Sequence, residues 1–425
     1  MKKVLRRVGI DWGSESHQVC RIDGEEEPKQ RAFPHTSEGL TALVAFVVEG
    51  GMDPEQVAVA IEVNHGAVVE ALLAKGLRLY SINPKLLDRL RDRFSMAGAK
   101  DDRRDAFVLA SCVESDAHAF RRIEVGNEEN ARLQAATRLR EDVKSDLRAN
   151  ANRLWNELRE FRPALLTLCP GADEPWLWVL IEKAPSPSEG TKLTRGRIGA
   201  VLKRHRIRRL TAEDVRTVLR GDVLSLRSVY IESHVARVLV LIARLQLAQA
   251  QIAKIEKQIK TALAERVKSE EQTERRDLTI LLSLPGFGSI TVATALGESG
   301  DAFERRDYSA LRSICGAAPV TKQSGGTRYV VMRQVCQPRL RVAMHLSALQ
   351  AIRIDPKFRD LYLRARARGQ TVGRAIRNIA DRLLFLAVQL LRKNQLYDIE
   401  LRQVAPEVAA TACVRYRSEG GGAQR

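Results

Sequence analysis

The chain has 425 residues, 44% of them hydrophobic and 29% charged, with 70 Lys+Arg against 52 Asp+Glu and a net charge of +18. That balance excludes a disordered or fibrous chain, and the positive surplus points to a polyanion partner, nucleic acid first. The six cysteines are scattered without a C-x-x-C pair, which argues against a zinc site or disulfide framework and fits a reducing cytoplasm.

The N-terminus, Met1-Lys2-Lys3-Val4-Leu5-Arg6-Arg7, carries charge but no long apolar segment behind it, so no signal peptide is expected. No apolar run reaches the ~18 residues of a membrane span, and no membrane partner is expected. Three short strands are predicted first, at Leu5–Asp11, His17–Ile22 and Lys29–Pro34. Ser37 reads as the N-cap of an amphipathic helix through Leu40, Leu43, Val44 and Val47, ending at Gly50-Gly51. A strand ending at Glu62, a helix through Val68 and Leu72, and a strand at Arg78–Ile82 follow. Pro84 opens another helix, and a last one carries Asp102, Asp105, Leu109 and Cys112.

The order βββαβαβα is that of a ribonuclease H-like mixed sheet, in which the first and fourth strands lie side by side. Asp11 and Glu62 end those strands and become neighbours, while Asp102 and Asp105, at i and i+3, share a helix face. A lone Asp at a helix start is ordinarily a cap or a partner for the helix dipole. Four acids at matching positions are what a divalent-metal site needs.

Residues 127–160 read as a long polar helix, and 161–232 as a less regular stretch broken by Pro163, Pro170, Pro175, Pro185 and Pro187. Within it lies the most basic run: Lys203, Arg204, His205, Arg206, Ile207, Arg208 and Arg209. It is either a solvated face or a contact for a phosphate backbone. A long helix over Ser233–Lys268 follows. Val238, Leu245, Ile252 and Ile259, each followed three residues later by Leu241, Ala248, Ile255 and Ala262, form a coiled-coil seam. The seam's partner is the helix at 127–160 or a second copy of the chain.

Beyond Thr279, Leu284-Pro285-Gly286-Phe287-Gly288 resembles a helix-hairpin-helix turn, with Gly286 and Gly288 free to bring backbone N–H groups to a DNA phosphate. Ser324-Gly325-Gly326, read without context, is a surface turn, and no Ser-His-Asp arrangement surrounds it. A strand near Arg328–Met332 and a helix at Leu340–Ile352 follow, with Arg339 and Arg341 placed for a phosphate clamp. The final helix, Val372–Arg392, is expected to bury Ile376, Ile379, Leu383 and Leu386 and to expose Arg374, Arg377 and Arg382. The segments are thus 1–125 (α/β), 126–275 (helical, with the basic insertion), 276–403 (mostly α-helical) and 404–425 (a tail expected to be disordered).

Taken together these residues resemble the DEDD transposases of the insertion sequence 110 family. The resemblance rests on Asp11 in Gly9-Ile10-Asp11, Glu62 ahead of Gly66, Ser81-Ile82-Asn83-Pro84, and Lys100-Asp101-Asp102-Arg103-Arg104-Asp105-Ala106. In the C-terminal part it rests on Leu284–Gly288, Gly316-Ala317-Ala318-Pro319 and Ser324-Gly325-Gly326. It implies a RuvC-like N-terminal domain whose Asp11, Glu62, Asp102 and Asp105 bind Mg²⁺, with two ions in each composite site. It also implies that Ser324 attacks DNA and forms a phosphoserine link, that a structured bridge RNA pairs the element ends with the target DNA, and that dimers assemble to a tetramer. The location implied is cytoplasmic, at the nucleoid. The chain departs from the family's pattern at Val63-Asn64-His65 and at Gln337-Pro338-Arg339-Leu340.

Two rival readings start from the same residues. Gly9-Ile10-Asp11-Trp12-Gly13-Ser14 is similar to the first phosphate loop of sugar kinases and actin-like ATPases, but no second loop or repeated domain follows. A hydrolytic junction resolvase would use water in place of Ser324.

Overall fold

The computed structural model describes residues 3–63, 65–82, 84–94, 101–123, 127–221, 225–270 and 276–397. Asn64, Asn83, Lys100 and the tail 404–425 lie outside them. The chain divides into two compact units, Met1–Gly126 and Asn127–Arg425.

The first unit is built on strands β1 (Arg6–Trp12), β2 (Ser16–Asp23) and β3 (Lys29–Pro34), helix α1 (Ser37–Val48), β4 (Val57–Ile61), α2 (Ala67–Ala74), β5 (Arg78–Ser81), α3 (Pro84–Arg91), α4 (Asp102–Ser115) and β6 (Arg121–Ile123). They form one six-stranded mixed sheet in the order β3-β2-β1-β4-β5-β6. β1 runs parallel to β4 and β4 to β5, and the other pairs are antiparallel.

The two faces of this sheet differ in side-chain size. Val8, Ile10, Val59 and Ile61 pack with Leu43, Val47, Val68 and Leu72 of α1 and α2. On the other face Ala58 and Ala60 meet Leu87 of α3 and Val108, Leu109 and Cys112 of α4. Gly9 belongs to this second face. A Cβ there would overlap the Ala106 carbonyl oxygen and lie 2.5 Å from the Ala110 nitrogen and 2.7 Å from the Leu109 Cβ. The glycine therefore lets α4 rest directly on the β1 backbone. The cap of α1 is Thr36, whose side chain accepts from the Gly39 N–H, and not Ser37. β6 was not expected: its three residues, two of them arginines, are too few for alternation to mark.

The second unit begins with α5 (Glu128–Phe161), continues through α6 (Leu165–Leu168), α7 (Pro175–Lys183), α8 (Pro187–Lys192), α9 (Arg195–Arg204) and α10 (Ala212–Arg220), and reaches α11 (Ser228–Glu270). The 161–232 stretch is thus more regular than its prolines suggested, because Pro175 and Pro187 open helices, where the missing N–H costs nothing. This insertion packs Trp176, Leu177, Trp178 and Ile181 into one core with Leu154 and Leu158 of α5 and Val238 and Leu245 of α11. α11 packs along α5 within the unit, with an Arg140–Glu256 ion pair of 2.7 Å. Val238, Leu241, Leu245, Ala248, Ile255 and Ile259 are buried as expected, but Ile252 is half-buried, and Leu263 replaces the exposed Ala262. A 3.6-residue turn drifts from a seven-residue repeat in that direction. α11 also passes for a membrane span by length and composition alone, as a core helix can, and it packs along α5.

The remainder is α12 (Asp277–Ser283), α13 (Ser289–Glu304), α14 (Tyr308–Ile314), the hairpin β7 (Val320–Ser324) and β8 (Thr327–Val331), α15 (Pro338–Ile354), α16 (Pro356–Ala367) and α17 (Val372–Lys393). These helices share one core that includes Leu281, Phe287, Leu340, Phe358 and Leu383. In α17 Leu386 and Arg377 are both half-buried, where burial and exposure respectively were expected.

Gly9→Ala is expected to cost about 3 kcal/mol, the upper end for overpacking, because its neighbours there are backbone atoms that have little room to yield. A urea unfolding midpoint equal to wild type would contradict that packing.

Candidate functional site

β1 and β4 hold two of the four acids. Their last shared register pair is Ile10↔Ile61, so Asp11 and Glu62 are the next residues along two hydrogen-bonded parallel strands. Strand alternation puts Asp11 on the face of Gly9, the face that α4 covers. Both acids are half-buried. Asp105 precedes Ala106, the residue in contact with Gly9, and is only 2% exposed. Asp102 is the first residue of α4 and is exposed; the cap before it is Asp101, whose side chain accepts from the Arg103 N–H.

Sequence reading missed Arg91. From the last turn of α3 its guanidinium forks onto Asp105: Nε donates to Oδ1, and Nη2 to Oδ2 at 2.6 Å, while Nη1 meets Asp88. The hydrogen bonds to Asp105 hold Arg91 above its ordinary pKa against the opposing effect of burial, and the charges of Asp105, Asp88 and Glu62 add to the rise. Arg91 is therefore the resident counter-ion of the cluster. No sequence signal marks it, since its partner is 14 residues away.

By donor chemistry the four carboxylates suit a hard divalent cation such as Mg²⁺, but among the described residues no three of them bring ligand atoms within 4.8 Å of one another. The Arg91 fork already uses both oxygens of Asp105, so a cation competes with it for that side chain. A separate trio in the second unit, Cys169, Asp173 and Glu174, brings ligand atoms within 4.8 Å of one another. Glu174 there is occupied by Arg209 and by the Trp176 Nε1–H.

Ser324 ends β7 and pairs with Thr327 across Gly325-Gly326. Gly325, at φ +55°, takes the positive-φ first position of a tight hairpin turn. Ser324, Lys322, Thr327 and Tyr329 lie on one face of the ribbon and are all exposed. β7 escaped prediction because it buries neither face and so lacks alternation.

The predicted nucleic-acid residues separate into distinct groups. A Cβ on Gly286 would overlap the Ser347 carbonyl oxygen, so that glycine answers a helix-packing demand; Gly288 has open space and caps α13. Lys203, Arg204, Arg206 and Arg208 are exposed, but Arg209 is bound at both nitrogens to Glu174, at 2.6 and 3.0 Å. Lys203 and Arg204 also complement the carbonyl end of α9, which is the structural reason for cations there. Arg339 faces Asp142 at 3.8 Å, and Arg341 donates to the carbonyls of Arg333 and Gln334 at 3.0 and 3.1 Å.

Residues 8–163, which contain all four acids, match the family model of the DEDD transposases of IS110, described as a transposase. Residues 278–363, which contain Ser324 and Arg341, match the model described as the transposase IS116/IS110/IS902 family. The chain is 41% identical over 208 residues to the "Putative transposase y4uE" of Sinorhizobium fredii, covering 48% of this chain and 58% of that protein. It is 31% identical over 415 residues to the "Mini-circle putative transposase for IS117" of Streptomyces coelicolor, covering 95% and 98% of the two. An "Insertion element IS110 uncharacterized 43.6 kDa protein" of Streptomyces coelicolor is 28% identical over 312 residues, or 71% and 72%.

Arg91→Ala would leave the buried Asp105 charge without its fork. The expected loss is about 3 kcal/mol, at the low end for a buried pair because Arg91 keeps some solvent exposure. Thermal melts with and without Mg²⁺ check this: the ion should raise the melting temperature of the variant more than that of wild type. Equal shifts would mean that Arg91 and the cation do not compete.

Proposed function

The chain belongs to the IS110 family of transposases, and on that premise we propose that it is an insertion-sequence recombinase that cuts and rejoins DNA through Ser324. The observation that carries the reading is the placement of Asp11 and Glu62 just past the last register pair of two adjacent parallel strands, on the sheet face that α4 and its buried Asp105 cover. The strand order of the sheet supports reading that unit as ribonuclease H-like. The family implies a divalent metal, and Asp11, Glu62, Asp102 and Asp105 are the residues that would hold it. When bound, such a cation neutralises a phosphodiester and stabilises the leaving oxygen.

The remaining work falls to the chain itself. A serine hydroxyl is a weak nucleophile, and it gains from neutralisation of the phosphate it approaches. The Oγ of Ser324 forms the new bond to phosphorus, the strand's P–O bond breaks, and the departing oxygen takes up a proton. Because the bond energy stays in the phosphoserine ester, the strand is resealed later without ATP. Exposure of Ser324 on a narrow ribbon supports this reading, since an attacking atom must reach a backbone phosphate. The exposed Lys203, Arg204, Arg206 and Arg208 supply backbone contacts to nucleic acid, including a structured guide RNA.

A denaturing gel with labelled DNA of the element's joined ends, its matching RNA and Mg²⁺ tests the nucleophile. Wild type should give a protein-linked band that Ser324→Ala abolishes. Free nicked DNA from both proteins would instead identify a hydrolytic nuclease using water. Asp105→Ala should abolish cleavage while leaving DNA binding nearly unchanged, and a parallel loss of binding would refute a purely chemical role.

Neutralising Lys203, Arg204, Arg206 and Arg208 to Gln should flatten the salt dependence of nucleic-acid binding, by about 0.9 in log–log slope for each phosphate no longer neutralised. Arg209→Gln alone should leave the slope unchanged because Glu174 already holds that side chain. A slope insensitive to the four-residue change would make the run a solvated face.

A further inference from the structure

The first turns of α15 and α17 carry arginines, and among the described residues only Arg339, which faces Asp142 at 3.8 Å, has an acid within ion-pair distance. α15 and α17 pack on each other, and Leu340, Met344, Ile376 and Ile379 share one core. Arg341 is the fourth residue of α15, and Arg374 and Arg377 stand in the first two turns of α17. Neither helix has an acidic residue in its first turn, where a negative charge would ordinarily settle. Burial, then the charges of Arg341 and Arg374, hold the Arg377 guanidinium below its ordinary pKa.

The acids that might neutralise them are spent elsewhere. Asp381 is taken by Arg312 at 2.7 Å and by the Tyr308 hydroxyl at 2.9 Å. Glu298 is forked by Arg138 at 2.8 and 2.9 Å and also accepts from the Gln337 side chain at 2.7 Å. Among the described residues neither Arg374 nor Arg377 has a side-chain hydrogen bond or ion pair. The buried Nε atoms of Arg333, Arg339 and Arg341 have no acceptor there either.

The cluster is also tied to the hairpin. Arg341 bonds the carbonyls of Arg333 and Gln334, in the segment between β8 and α15. Its Nε lies 3.1 Å from where a Cβ on Gly316 would sit, in the segment between α14 and β7. Adjacent guanidinium groups beside two helix N-termini repel one another unless an anion lies between them, and guanidinium forks suit phosphate oxygens.

We propose that Arg341, Arg374 and Arg377 form a phosphodiester-binding site for the DNA strand presented to Ser324. The site rests on the recombinase reading above, yet Arg374 and Arg377 fall outside both family-matched segments. Arg341 sets the base of the hairpin and the two α17 arginines grip the backbone, so the strand is held at the root of the ribbon whose tip carries the serine.

The test is fluorescence anisotropy of the full chain on a labelled duplex carrying the element's joined ends, across a salt series. Arg374→Gln/Arg377→Gln should lower the log–log salt slope by about 1.8, two phosphates at about 0.9 each, with melting unchanged. Arg374→Gln alone, at an exposed position, should lower it by about 0.9 and serves if the double variant melts early. An unchanged slope overturns the proposal, as does a fall seen only with an RNA duplex of the same sequence. Ser324→Ala, run beside them, should keep the wild-type slope. A reduced slope in the arginine variants without any covalent product from wild type would sink the nucleophile and leave the phosphate site standing.

Discussion

The contact of α4 with bare backbone at Gly9 is the constraint on which the acid cluster depends. Asp11 lies two residues along the same strand, and Asp105 stands beside the helix residue that touches the glycine. A side chain at that point would lift the helix and carry the buried carboxylate away from the strand ends. Ala58 and Ala60 keep the same face shallow, whereas Val59 and Ile61 fill the opposite one. The fold thus spends one face of a sheet on ordinary packing and thins the other so that helix-borne and strand-borne oxygens can approach.

Where burial imposed a period, the sequence was legible. The first strands and the long helices at 128–161 and 228–270 stood near their expected places because burial patterns them, and the strand ending before Glu62, buried on both faces, because polar residues bound its apolar run. β7 and β8 bury almost nothing, so only β8 left a trace, through its β-branched residues. Prolines misled the reading of 161–232, because breakers and helix openers are the same residue seen from different sides. Of the site, the positions of Asp11, Glu62 and the helix acids were readable from strand ends and i, i+3 spacing. Arg91 was not: a total of 70 Lys and Arg does not say which of them faces a carboxylate. The same limit applied to Arg209 and Arg339, whose charges face Glu174 and Asp142.

The distribution of arginines also separates two uses of one side chain. Arg138, Arg209 and Arg312 are forked onto carboxylates and act as internal ties. Arg374 lies exposed and Arg377 half-buried without such partners. A net charge of +18 is therefore an incomplete measure of what is offered to a polyanion. The chemically available charge is what remains after the ties are made, and it is unevenly placed.

The helical insertion leaves from the end of α5 and returns at the start of α11, two helices that pack on each other. Its core around Trp176 and Trp178 is continuous with the facing ends of those two helices, through Leu154, Leu158, Val238 and Leu245, so it sits like a bead threaded on a closed clasp. Chain entropy makes a longer loop between fixed ends only slightly more costly than a shorter one. This point is consequently where descendants of such a chain are freest to gain or shed length, and to trade one recognition surface for another, while the acids and the serine stay on frameworks that do not feel the exchange.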